Sequence, residues 1–194
     1  MSEKLIQTGS QTVGPYLHIG LIYGEGQNLL VNELTKGQRI RVMGQVTDGE
    51  GTPIPDAMIE IWQADANGHF NHDADPNKAS ADPNFKGFGR AETLNNGIFT
   101  FKTVKPGVVP FDADQDQAPH INVRVFARGM LIHAYTRLYF SDEEAANKTD
   151  PILNLVEEDR RPTLIAQMQE SEDLPTYCFN IALQGENETV FFNP

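Results

Sequence analysis

Two groups of residues have types and spacings that could do chemistry. His120 and Asn122 stand two apart in the run Ala118-Pro119-His120-Ile121-Asn122, shortly after the turn-rich stretch Pro106-Gly107-Val108-Val109-Pro110-Phe111. On a strand, positions i and i+2 face the same way, so two imidazoles here would make a metal pair. With asparagine at the second position the hint is weak, and a hydrogen-bonded core histidine is the expected state of His120. The second group is His69, His72, Asp73 and Asp75. Two imidazoles and two carboxylates could take a divalent ion, but an irregular loop without supporting strands does not preorganise ligands well. A solvated acidic loop is the expectation there. Cys178 lies in the apolar run Tyr177-Cys178-Phe179, where a thiol packs and stays inert. No glycine-rich phosphate loop opens a helix after a strand, and no Gly-x-Ser-x-Gly elbow occurs.

The elements that must position these groups read as strands. Residues 39–46 alternate polar and apolar, the mark of a half-buried strand. Residues 57–64 predict a second strand, closed by Asp65-Ala66-Asn67-Gly68. Residues 71–86 show no periodicity and read as a long loop, of the kind that serves function or an interface. Strands are expected at 87–93 and 98–104 around Asn95-Asn96-Gly97, because Asn-Gly tolerates the positive φ of a tight hairpin. Two more are expected at 121–128 and 132–140, with Gly129 between them. Ser141-Asp142-Glu143-Glu144 reads as the capped start of a short helix, and Arg161-Pro162 as the start of another helical turn. Residues 177–183 and 189–192 return to strand. The pattern predicts an all-β protein: a β-sandwich of mixed short strands with long loops, an N-terminal arm and one or two short helices. The boundaries are 1–38 for the arm and 39–194 for the sandwich. The arm, with Gly14-Pro15, is either a surface tail or a backbone that packs closely on a neighbour.

With 194 residues, 39% of them hydrophobic, the chain can bury one sizeable core. The net charge of −12 argues against nucleic acid, and any anionic ligand would need a local cationic spot. A single cysteine excludes an internal disulfide framework and a cysteine-based zinc site. The Met1-Ser2-Glu3-Lys4 start lacks the pattern of a signal peptide, so a cytoplasmic location is expected, with no membrane partner.

Several separated motifs resemble the intradiol ring-cleaving dioxygenases. They are Gly44-Gln45-Val46, Ile61-Trp62-Gln63-Ala64-Asp65-Ala66-Asn67-Gly68, the run 82–90, Thr103-Val104-Lys105-Pro106-Gly107 and Pro119-His120-Ile121. Residues 10–16, Phe126-Ala127-Arg128-Gly129, Thr136-Arg137-Leu138-Tyr139-Phe140 and 185–192 extend the likeness over nearly the whole chain. Catalytic members of that family hold a non-haem ferric ion with two tyrosines and two histidines, hard Fe(III) suiting phenolate oxygen. By motif position those four fall here on Phe70, Val109, His120 and Asn122, and the arginine that precedes the histidine pair falls on Gln117. The resemblance therefore implies no metal site on this chain and no catalytic residue of its own. It implies instead a division of labour. A related beta-type chain, paired with this one in a larger assembly, holds the Fe(III). This chain lends the pocket wall that receives the carboxylate of a small aromatic diol, through Thr12, Gly14, Pro15 and Arg128. Two other outcomes stand beside this one: a subunit that only stabilises its partner, and an independent enzyme using His69, His72 and the nearby carboxylates.

Overall fold

The computed structural model describes residues 19–22, 26–93 and 96–193. Its organising strand is β1 (Arg39–Thr47), where Ile40, Val42 and Val46 point inward and the residues between them are only partly covered. On one side β1 pairs antiparallel with β4 (Ile98–Val104), from Arg39 opposite Val104 to Gln45 opposite Ile98. On the other it pairs parallel with β10 (Thr176–Cys178) and then with β11 (Ile181–Ala182). From β10 the sheet continues through β9 (Ile165–Gln169), β8 (Ala134–Phe140), β7 (His120–Phe126), β2 (Met58–Gln63) and β3 (Phe88–Glu92). These nine strands form one mixed sheet that folds its two ends face to face. Ile40, Val42, Phe99 and Phe101 of one half are buried against Ile59, Ile61, Ile121, Val123, Val125 and Leu138 of the other. The expected all-β, sandwich-like architecture is what forms, with the segment 28–30 laid along β4 and Leu30 buried in the core.

Several local expectations change. Residues 165–169 form strand β9 between β8 and β10, although Ile165-Ala166-Gln167-Met168 follows a helical turn at Arg161–Leu164. The run 177–183 is two strands, because a step at Phe179 and Asn180 interrupts the pairing with β1 while leaving its register unchanged. The Phe179 carbonyl would lie 1.7 Å from a Cβ on residue 44, so only glycine at Gly44 admits that approach. Asn180 completes the step by accepting the Gln45 N–H through its side-chain oxygen at 3.1 Å. Of the expected strand at 189–192, Phe192 alone bridges, to Tyr135. The helix α1 (Glu144–Thr149) begins later than the capped start at Ser141, and no side chain caps it. Ser141 instead accepts the Met168 N–H, and Asp142 pairs with Lys105 and the Tyr177 hydroxyl. The stretch around Val109 forms a two-residue ribbon, β5 (Val109–Pro110) with β6 (Asp116–Gln117).

Candidate functional site

Along β7, Ile121, Val123 and Val125 enter the core, so His120, Asn122 and Arg124 face the other way. The ladder sets Trp62 of β2 opposite Asn122, and Asn122 opposite Arg137 of β8, while His120 stands opposite Tyr139. Trp62, Asn122 and Arg137 therefore form a row across three strands on one outer face.

Each member of this row is occupied. The Tyr135 hydroxyl donates to the Asn122 side-chain oxygen at 2.6 Å. Arg137 donates from Nη1 to the Gln117 Oε1 at 2.7 Å. Burial lowers the Arg137 pKa, but the hydroxyls of Tyr135 and Tyr139 beside the guanidinium outweigh it and hold the group above its usual value. His120 is only 3% exposed. Its Nδ1 lies 2.8 Å from the Ala118 carbonyl, and its ring packs on Tyr139 with centroids 5.9 Å apart. Burial, then the Arg137 charge, drops its pKa to about 4, so near neutral pH the ring is uncharged and donates from Nδ1 to that carbonyl. Behind it, the fully buried Asp150 accepts from the Ala118 N–H at 2.7 Å and from the Tyr139 hydroxyl at 3.1 Å. Burial, with the Asp150 charge adding to it, pushes the Tyr139 phenol well up.

The other two motif positions lie beyond Trp62. Phe70 stacks on the indole, centroids 5.6 Å apart and planes 15° from parallel. Phe70 and Val109 line a cavity of about 340 Å³, and Asn122 opens into a neighbouring one of about 490 Å³. Trp62 and His72 border both. The structure thus gathers Phe70, Val109 and Asn122 around Trp62, with His120 buried two residues along β7 from Asn122, but not as a donor set. Phe70 and Val109 carry no ligating atom, Asn122 is clamped by Tyr135, and a permanent cation, Arg137, stands beside His120. The residues present do not fit a ferric ion.

The loop histidines and carboxylates act locally. Asp75 accepts the Phe70 N–H at 2.6 Å and the Asn77 N–H at 2.7 Å, His72 Nδ1 accepts the Ala74 N–H at 3.1 Å, and Asp73 pairs with Lys78. Among the described residues no group of three or more His, Cys, Asp or Glu is placed to hold a metal ion.

Arg128 lies past the end of β7, in the turn that Gly129 closes at φ 83°. Its side chain is 71% exposed, and its Nε and Nη2 both meet the Asp56 Oδ2. Thr12, Gly14 and Pro15 lie outside the described residues. Arg137, Tyr135, Asp150 and Asp56 were not singled out from sequence. The one available signal was the alternation Tyr135, Arg137, Tyr139, which puts three polar side chains on one face of β8.

A protein-family model of dioxygenases, Dioxygenase_C, matches residues 14–185. The chain belongs to the intradiol dioxygenase family. It is 46% identical to the protocatechuate 3,4-dioxygenase alpha chain of Pseudomonas putida, over 98% of both chains. It is 32% identical to the beta chain of the Burkholderia cepacia enzyme, over 93% of this chain and 77% of that one. Among solved structures it is similar to the dioxygenase domain of a dioxygenase–carbohydrate-binding fusion from Streptomyces (TM-score 0.63, 26% identity, 81% of this chain and 87% of that one).

Proposed function

We propose that this chain is the alpha-type subunit of a protocatechuate 3,4-dioxygenase, paired with an iron-bearing beta chain and completing that chain's substrate pocket. One observation carries the reading. A chain alignable end to end with an alpha chain has non-ligating side chains at Phe70 and Val109 and a guanidinium beside His120. In this reading the ring of 3,4-dihydroxybenzoate opens between its two hydroxyl-bearing carbons with O2 as oxidant, giving 3-carboxy-cis,cis-muconate. Fe(III), held by the beta chain, supplies the redox chemistry, and this chain supplies orientation. The lone Cys178 suits the reducing cytoplasm.

Arg128 receives the substrate carboxylate. A guanidinium matches a carboxylate with two parallel N–H donors, and in a protein of net charge −12 a local cation is what would draw an anion in. The N-terminal part of the expected arm 1–38, which carries Thr12, Gly14 and Pro15, closes the same wall against the partner, while residues 28–30 pack on this chain's own core. Arg128→Gln in the assembled complex tests this. A lost charged hydrogen bond is worth about 1.5–3 kcal/mol, so the KM for 3,4-dihydroxybenzoate should rise by roughly ten- to a hundred-fold. An unchanged KM and turnover would leave only a subunit that stabilises its partner.

A further inference from the structure

We infer that Asp56 is a positioning residue for Arg128, holding the guanidinium so that one edge stays open to a carboxylate; this rests on the substrate role proposed above. The β2–β7 ladder fixes the pair. Met58 stands opposite Phe126 at its last rung, and the two residues lie two positions beyond it on either strand. They are 72 residues apart in sequence but meet at one end of the ladder.

The partners are unequally placed. The Arg128 side chain is 71% exposed and that of Asp56 only 13%. The Asp56 backbone cannot follow the arginine outward, because the next residue is pinned. Ala57 is fully buried, its N–H donates to the Thr93 hydroxyl at 2.9 Å, and its carbonyl accepts the Thr93 N–H at 2.9 Å. The Asp56 Oδ2 takes both Nε and Nη2 of the guanidinium, while its Oδ1 is buried and has no partner among the described residues. A carboxylate with an unpaired buried oxygen is costly for stability alone. As a support it makes sense: it occupies the Nε side of the guanidinium and leaves the Nη1–Nη2 end, the bidentate edge for a second carboxylate.

A fixed carboxylate also subtracts charge from Arg128, which would weaken anion binding. That loss works against the gain from ordering a free arginine side chain, which is worth roughly thirty-fold. The direction of the KM change in Asp56→Ala tells which of the two dominates.

The experiment uses the assembled alpha–beta enzyme carrying Asp56→Asn, Asp56→Ala, Arg128→Gln or Asp56→Ala with Arg128→Gln. Steady-state KM and kcat are measured for 3,4-dihydroxybenzoate, with the affinity for catechol, the same diol without its carboxylate, as the control. Asp56→Ala should raise the KM for the acid about ten-fold with kcat within two-fold and catechol affinity unmoved. Asp56→Asn, which keeps an accepting oxygen and the side-chain shape, should raise it less. On an Arg128→Gln background Asp56→Ala should add nothing. A lowered KM in Asp56→Ala would make Asp56 a counter-charge and overturn the inference, as would an equal loss of catechol affinity. Unchanged KM in both Asp56 variants with a raised KM in Arg128→Gln would refute Asp56 alone. Unchanged KM in Arg128→Gln would remove the substrate role and this inference with it.

Discussion

Asp150→Ala should destabilise the chain by about 4 kcal/mol, and the structure says where that cost arises. Oδ1 accepts from the Ile152 N–H at 2.9 Å, the Leu153 N–H at 2.6 Å and the Tyr139 hydroxyl at 3.1 Å, and Oδ2 from the Ala118 N–H at 2.7 Å. Alanine strands all four donors in a place where Asp150 has no exposed surface. Each unmet buried donor costs about 1–3 kcal/mol. A water entering the vacated space can reclaim two of them, which leaves about 2–6 kcal/mol. Asp150→Asn discriminates the argument from a generic core defect. Its amide oxygen can take over the three donors on Oδ1, so only the Ala118 N–H is left facing an NH2, and the loss should fall to about 2 kcal/mol. Urea titration followed by the fluorescence of Trp62, the single tryptophan, measures both variants, and amide exchange should show Ala118 selectively deprotected in Asp150→Asn. A loss below about 1.5 kcal/mol for alanine, or an asparagine variant as damaged as the alanine one, would refute the reasoning.

Two further tests concern the positions that the resemblance assigns to iron ligands. His120 has a folded pKa near 4 against an ordinary value of 6.5, so the unfolded chain takes up the proton first. Its contribution to stability is whole above about pH 6.5 and declines as pH falls towards about 4. His120→Asn should therefore flatten the fall in urea stability between pH 7 and pH 5 relative to the unaltered chain, and an unchanged slope would show that the buried imidazole does not control it. Phe70→Tyr, Val109→Tyr and Asn122→His together should leave the isolated chain colourless and free of iron while Arg137 remains. Adding Arg137→Gln should permit iron uptake, and stoichiometric iron in the variant that keeps Arg137 would refute the view that the guanidinium excludes a metal.

What the sequence made legible was what is written on one strand at a time. β1, β2, β7 and β8 alternate or carry continuous apolar runs because each covers the same core. β9 was missed because Ala166, Gln167 and Met168 suit a helix, and only pairing with β8 and β10 overrides that preference. The break at Phe179 depends on Gly44, far away in the chain and adjacent in the sheet. The same division holds at the site. The positions Phe70, Val109, His120 and Asn122 follow from motif spacing, but the groups that occupy them do not. Arg137 meets Asn122 only through the register of β7 against β8, and Asp56 meets Arg128 only because β2 and β7 end together.

Those cross-strand partners explain how the four positions that the resemblance assigns to iron ligands can stand with no metal donors. A site stripped of its ligands would leave buried polar atoms unpaired, and each would cost stability. Here the replacements come with their own partners. Phenylalanine at Phe70 is covered by the Trp62 indole, Asn122 is held by Tyr135, and Arg137 rests on Gln117. His120 keeps its bond to Ala118, which Asp150 in turn fixes. The outer face of β2, β7 and β8 is thus consolidated by hydrogen bonds and stacking. That rigidity matters at its far end, because the same β2–β7 ladder sets Asp56 against Arg128. Under the function proposed here, such a chain lends a fixed cation to a neighbouring pocket, and the proposed substrate role rests on the end of the ladder rather than on the cavity at its centre.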